Sequence, residues 1–212
     1  MNARDITAAF DQLRRLGAAT IHEALGRAGA VDPAIKPLDP GTCLVGRALT
    51  VDTAPADNLA VQQAVTLAQP GDVLVIDAKG YLDAGLWGDV LTHYAQHVGI
   101  AGIVVDGAVR DSNEIVRLGF PVFTRGICIR GTDKRNPGRI NVPLVFAGTP
   151  VAPGDVIVGD CDGITVVPAA DLDRAVTLGE QRAAKENLMR EQIAADARLI
   201  DLLGLPDRQP AR

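Results

Sequence analysis

The chain has 212 residues and a formal net charge of −5, with 47% hydrophobic, 22% charged and 3% aromatic residues. That composition fits one compact domain over residues 1–212, its core built from small and β-branched side chains as in an α/β layer arrangement. It argues against general nucleic-acid binding, which needs a basic footprint, and no apolar run approaches the length of a membrane span.

The opening residues, MNARDITAAFDQLRRLG, are amphipathic and charged rather than patterned as a signal peptide, so a cytoplasmic protein is expected. Ile6, Phe10, Leu13 and Leu16 share one face of a helix predicted over 5–16. Thr20-Ile-His-Glu23 has capping-box spacing and predicts a second, short helix starting there. Residues 43–53 alternate as a strand, and 58–68 read as a helix broken by Pro70-Gly71. Gly88 to Val98 is a predicted helix and Ile100 to Asp106 a fully buried strand. A short helix over 112–118 and short strands near 120–130 and 140–147 follow. The tail, 169–203, reads as one long helix that packs across the domain or against another subunit. Cys43, Cys128 and Cys161 are an odd set without CxxC spacing, so neither a disulfide framework nor a zinc site is expected; they read as small buried side chains in a reducing compartment.

One phrase occurs twice. PGDVLVIDAKG at 70–80 returns as PGDVIVGDCDG at 153–163, each a tight turn feeding a buried strand that ends in an acidic loop. Two similar turn–strand entries would explain it, and so would two sheets related by pseudo-symmetry, which is the expectation adopted.

The chemistry concentrates between Gly80 and Asp111. Gly85-Leu-Trp-Gly-Asp89 opens a helix, and the strand IAGIVVDG delivers Arg110 and Asp111 just past its carboxyl end, where α/β folds bind ligands. Free backbone N–H groups at Gly88, Asp89, Val90 and Leu91 could cradle a carboxylate opposite Arg110. A plainer account stands beside this one: Asp111-Ser-Asn-Glu114 also has capping-box spacing, and Asp89 could simply favour the helix dipole. His93 and His97 stand four apart on one helix, but with no third ligand beside them they read as exposed or core-edge residues. His22 precedes Glu23 and could approach substrate.

The pattern Gly85, Asp89, then Arg110-Asp111 resembles that of class II 4-hydroxy-4-methyl-2-oxoglutarate/4-carboxy-4-hydroxy-2-oxoadipate aldolases, within the superfamily of proteins similar to the regulator of ribonuclease activity A. The similarity extends to Thr20-Ile-His-Glu-Ala-Leu-Gly-Arg27, Asp106-Gly-Ala-Val-Arg-Asp111, Phe120-Pro-Val-Phe123, Asn141-Val-Pro143, and Pro153-Gly-Asp-Val with Asp162-Gly163. The resemblance implies an α/β fold layered as a β/β/α sandwich like the phosphohistidine (swivelling) domain, with N-terminal helices and a long C-terminal helix. It also implies a homotrimer or homohexamer with sites between subunits. Asp111 would be the protein ligand of Mg²⁺ or Mn²⁺, Arg110 would bind the substrate and stabilise its enolate, and the amides of Gly88 to Leu91 would hold its carboxylate. Asp89 would orient a metal-bound water, and Glu23 would help hold such a water in a neighbouring subunit's site.

These residue types suit cleavage of a 4-hydroxy-2-oxo acid, which leaves negative charge on a pyruvate enolate that a divalent ion and an arginine can stabilise. A base, a water activated by the metal or by Asp89, would take the C4 hydroxyl proton. Lys79 is the nearest lysine, and its Gly-flanked loop offers no desolvating pocket for a Schiff base. The shared enolate also predicts oxaloacetate decarboxylation, as a side activity or as the main one. A non-catalytic regulator of ribonuclease E is the rival from another class; such regulators lose the acidic residue after the arginine, which is here present as Asp111. A methyltransferase is rejected for want of a glycine-rich S-adenosylmethionine loop. Arg27, Arg125, Arg130, Lys134, Arg135 and Arg139 are unranked candidates for the substrate's distal carboxylates.

Overall fold

The computed structural model describes residues 3–208. Two helices, α1 (Ala3–Leu16) and α2 (Ala18–Ala24), precede the short strand β1 (Lys36–Pro37) and then β2 (Leu44–Asp52), α3 (Leu59–Leu67), β3 (Asp72–Gly85), α4 (Asp89–Val98), β4 (Gly102–Val109), α5 (Ser112–Arg117) and β5 (Val122–Ile127). The chain continues through β6 (Arg139–Ile140), β7 (Leu144–Phe146), β8 (Thr149–Val151), β9 (Val156–Asp160) and β10 (Gly163–Val167), and ends in α6 (Leu172–Ala194) and α7 (Leu199–Leu202).

Strands β2 to β5 form a parallel unit, joined by helical crossovers as parallel strands require. The hairpin β9–β10 adds antiparallel to β2, and β1 closes the other edge against β5. Every residue of β4 is buried, because this central strand is covered on both faces. One face packs beneath α3, α4 and α5 around Leu74, Ile76, Trp87 and Ile103. The other face folds over itself around Leu44, Val75, Val104, Phe123, Ile157 and Ile164. Phe123 on β5 and Gly159 on β9, with three strands between them in the sheet, meet across this inner core, where a Cβ on Gly159 would lie 2.9 Å from Phe123 Cζ. The sheet is therefore curled into two β layers, with a helical layer outside: the β/β/α arrangement expected. A second set of helices, α1, α2 and α6, covers β9 and β10 through Leu13, Ile21, Val158 and Leu172.

The repeated phrase does not head two separate sheets. Its two strands, β3 and β9, flank β2 in the same sheet, one parallel and one antiparallel. What the copies share is local: each turn places a glycine at positive φ, Gly71 and Gly154, and each aspartate accepts from the backbone N–H three residues earlier, Asp72 from Gln69 and Asp155 from Ala152.

Three further expectations need correction. Helix α2 starts at Ala18, so Thr20 lies inside it and forms no cap; the Ala18 N–H donates instead to Asp160 Oδ2 at 2.7 Å, a cap supplied by the β9–β10 turn. The tail helix ends at Ala194, where Asp196 adopts positive φ and the chain turns into α7. Cys43 and Cys161 are exposed and Cys128 half-buried, all three free thiols. Among the described residues no helix is long and apolar enough to cross a membrane.

Because Phe123 is a rigid ring with no room to retreat, Gly159→Ala should overpack the inner core. We expect a loss of about 1–3 kcal/mol, read as a lower urea midpoint with an unchanged m-value.

Candidate active site

The sequence word Gly85-Leu-Trp-Gly-Asp89 is placed by an irregularity in β3. Asp77 pairs with Asp106 of β4, Tyr81 with Gly107 and Gly85 with Ala108, so residues 78–80 and 82–84 bulge out on either side of the Tyr81 pairing before the strand returns. On its return it is pinned from both sides. Leu86 N–H donates to Ala108 O at 2.9 Å, Arg110 N–H to Trp87 O at 2.8 Å and Gly85 N–H to Arg130 O at 2.9 Å. Trp87 anchors the turn: its buried indole N–H donates to Thr92 Oγ1 at 2.7 Å, and its ring stacks on Phe120. Two glycines permit the approach. A Cβ on Gly85 would lie 2.5 Å from Cys128 O and 2.9 Å from Arg110 Cβ, and one on Gly88 would collide with Asp111 Oδ2.

Arg110, Asp111 and the first turn of α4 thus come together. Arg110 Nε lies 3.5 Å from Asp111 Oδ2, and the Asp89 N–H donates to the same oxygen at 3.3 Å. Asp111 precedes α5 but does not cap it with its side chain; its φ of 55° turns the carboxylate away from its own helix and toward the N-terminus of α4. The capping-box reading of Asp111 is therefore overturned, and the aspartate holds a backbone conformation that costs a non-glycine residue of order 1 kcal/mol or more. The four-amide cradle is also modified: besides the Asp89 amide, that of Val90 is taken, donating to Asp89 Oδ1 at 2.8 Å.

Beside Arg110 opens a cleft of about 530 Å³. Gly85, Gly88, Val90, Leu91, Tyr94 and Arg110 form one wall; Asn58, Gln62 and Val65 of the α3 segment form another, and Gly131, Thr132 and Lys134 a third. Asp57, which the sequence reading passed over, and Asn58, which it took only as the start of a helix, hold these walls together. Asn58 Nδ2 donates to Leu86 O at 3.0 Å. The buried Asp57 carboxylate accepts from the N–H groups of Leu59 at 2.9 Å, Arg135 at 2.8 Å and Asn136 at 2.9 Å. Burial opposes its charge, yet these three donors hold the Asp57 carboxyl below its ordinary range. An Asp-Asn pair before an apolar helical run was the visible signal, but the loop it fastens lies 78 positions onward in the chain.

Other predicted site residues lie elsewhere. Glu23 is on α2, paired with Arg27 at 3.2 Å and Arg182 at 3.7 Å, and does not line the cleft of its own chain. His93 and His97 are exposed on α4, and the His22 ring bonds to Ala28 O at 2.9 Å. Lys79 is clamped between Asp52 and Asp77; burial works against its charge, but the two carboxylates raise its pKa and keep it an ammonium.

Hard oxygen donors fit a divalent ion here. Among the described residues Asp111 Oδ1 takes no hydrogen bond, and Asp89 brings a second carboxylate to the same corner; Mg²⁺ is commonly held by one or two carboxylates plus water.

Residues 18–166 match the family described as RraA-like, Aldolase/RraA, and the chain belongs to that family. A relative from Halalkalibacterium halodurans, named "Putative 4-hydroxy-4-methyl-2-oxoglutarate aldolase", is 42% identical over 185 residues, covering 87% of this chain and 88% of its own. A solved structure from Pseudomonas syringae, of an uncharacterized protein, superposes with a TM-score of 0.84 at 32% identity, covering 92% of each chain. Streptomyces coelicolor RraAS2, described as an unusual member of the RNase ES inhibitor RraA family, superposes with a TM-score of 0.79 at 31% identity, over 86% of this chain and 96% of that one.

Asp57→Ala should cost about 2–3 kcal/mol at pH 7, since three backbone donors lose a charged acceptor. A carboxyl whose folded pKa is depressed contributes stability above its unfolded value of about 3.9, and that contribution is lost as pH falls through the folded value. The gap between wild type and variant in urea unfolding should therefore narrow between pH 5 and pH 2.5.

Proposed function

We propose that this protein is a divalent-metal-dependent lyase that cleaves a 4-hydroxy-2-oxo acid, 4-hydroxy-4-methyl-2-oxoglutarate or 4-carboxy-4-hydroxy-2-oxoadipate, to pyruvate and a second oxo acid. The observation that carries this reading is the meeting of Arg110 and Asp111 at the N-terminus of α4, beside a cleft large enough for such a substrate. The names of the aldolase relatives support it, and the presence of Asp111 after the arginine favours it over the ribonuclease-regulator alternative.

In this reading Arg110 pairs with the substrate's 2-oxo acid end, a fixed positive charge where the enolate develops. Asp111, with Asp89 beside it, would hold Mg²⁺ or Mn²⁺, which when bound supplies Lewis-acid stabilisation of that same charge. Asp89 accepts the C4 hydroxyl proton, directly or through water. As that proton leaves, C4 becomes a carbonyl and the C3–C4 bond breaks, its electron pair remaining on C3 as the pyruvate enolate, which is then protonated. The amides of Gly88 and Leu91, both in the lining of the cleft, would hold the substrate's carboxylate. A Schiff base is disfavoured because Lys79, held as an ammonium by two carboxylates, has no free electron pair to attack a carbonyl. Oxaloacetate decarboxylation forms the same enolate and follows as a second activity of the site. Glu23, remote from the cleft of its own chain, would serve a neighbouring copy in a homotrimer or homohexamer.

The test is pyruvate release from the two hydroxy-oxo acids and oxaloacetate, with Mg²⁺ and with EDTA. Activity should need the metal, and Arg110→Ala and Asp111→Asn should each lower kcat/KM at least 100-fold, about 2.7 kcal/mol of transition-state stabilisation. Asn tolerates the left-handed backbone and its amide oxygen can still accept from the Asp89 N–H, so Asp111→Asn should lower the unfolding free energy by no more than about 1 kcal/mol. Turnover in EDTA equal to that in Mg²⁺, or no turnover of any of the three compounds, would sink the proposal.

A further inference from the structure

Beneath the first turn of α4 runs a buried chain of hydrogen bonds that ends on Asp111. Trp87 Nε1 donates to Thr92 Oγ1 at 2.7 Å, and Thr92 Oγ1 donates in turn to Gly88 O at 3.0 Å. The direction of both bonds is forced. An indole N–H can only donate and a carbonyl can only accept, so the hydroxyl proton must point at Gly88. The Thr92 backbone N–H donates to the same carbonyl at 3.1 Å, so one residue grips Gly88 O twice. Trp87 and Thr92 are both fully buried, out of reach of competing water.

A trans peptide group is planar, with its C=O and N–H on opposite sides. Holding the Gly88 carbonyl therefore aims the Asp89 N–H, which leaves the far side of the same plane and donates to Asp111 Oδ2 at 3.3 Å. Glycine imposes little torsional preference of its own, so the direction of this peptide depends on what clamps it. With Oδ2 engaged, Oδ1 is the oxygen left for an ion. Valine has nearly the shape of threonine but neither donates nor accepts. In its place the Trp87 N–H would be buried without an acceptor, which only a shift of the 87–89 turn could relieve.

Resting on the reading of Asp111 as a metal ligand, the geometry assigns Thr92 as a positioning residue. Through the Gly88–Asp89 peptide it sets which Asp111 oxygen faces the ion, although neither Thr92 nor Trp87 lines the cleft. Mn²⁺ dissociation constants, from the electron paramagnetic resonance of the free ion, would be compared for wild type, Thr92→Val, Thr92→Ser and Ile103→Val. Thr92→Val should weaken Mn²⁺ by about tenfold or more, as loss of a group orienting a metal ligand does. Thr92→Ser keeps the hydroxyl and should bind like wild type. Ile103 packs in the same core as Trp87, so Ile103→Val loosens that core without touching the chain of bonds and should also bind like wild type. A second readout needs no metal: residue-resolved hydrogen exchange of the apoprotein. The Asp89 amide should be protected in wild type and should exchange at least about tenfold faster in Thr92→Val, with the Ala95 amide unchanged. An unprotected Asp89 amide in wild type, unchanged Mn²⁺ affinity or Asp89 exchange in Thr92→Val, or equal weakening of Mn²⁺ by Ile103→Val would overturn the assignment. The lyase reading fails separately. A wild type that binds Mn²⁺ but releases no pyruvate removes the reaction and leaves Thr92 its role; one that binds no Mn²⁺ removes the metal, and Thr92 is then judged on the Asp89 amide alone.

Discussion

Between Asp77 and Gly85, strand β3 spends eight residues while its partner β4 advances only two, from Asp106 to Ala108. Nearly everything at the candidate site depends on how that excess is absorbed. Had β3 ended at Asp77, α4 could begin over the middle of the sheet and Arg110 would project from a bare strand end. Instead β3 rejoins β4 at Gly85, and the Leu86 and Arg110 hydrogen bonds carry the pairing past the strands' last regular residues. Helix α4 then starts beside the point where β4 releases Arg110 and Asp111. The irregularity converts two loops into one braced corner, as bulges beside functional sites commonly do.

That bracing explains why the two glycines of the motif differ in role. Gly88 is needed by Asp111, whose carboxylate occupies the space a side chain would fill; Gly85 is needed by the backbone of Cys128 and by the Arg110 side chain. Neither has a left-handed φ, so close approach rather than backbone freedom selects glycine at both. The left-handed residue is Asp111 itself, and its strain is offset by what surrounds it: the α4 N-terminus, the Asp89 amide and the Arg110 guanidinium.

Helices and strands of the central unit were legible because each carried a strong local pattern: the buried run from Ile100, the Gly88 start of α4, the turn phrase before β3. Capping-box spacing misled at Thr20, where a carboxylate from a distant segment replaces the local cap, and at Asp111, whose side chain leaves its own helix α5 for the start of α4. Asp160 accepts from the α2 N-terminus and Asp111 from that of α4, and four-residue spacing cannot show an acceptor brought from a distant segment. The roles of Asp57 and Asn58 were hidden likewise. Their partners, Leu86 and the 133–136 loop, are brought to them only by the fold. The tail helix read as too long because Ala and Arg favour helix past the point where Asp196 turns it.

Charge pairing elsewhere in the fold bears on the cleft as well. Asp52, Asp77 and Asp106 stand in register across β2, β3 and β4, on the curled inner face rather than the face that carries α4. Three like charges side by side would be costly, and they are compensated by Lys79, Arg139 and Arg125, the last also reaching Asp32. Of the basic residues near the carboxyl ends of the parallel strands, this row consumes most. It keeps Lys79 protonated and directs Arg125 and Arg139 to the opposite face. Positive charge at the cleft is thereby reduced to Arg110 at one wall and Lys134 at another.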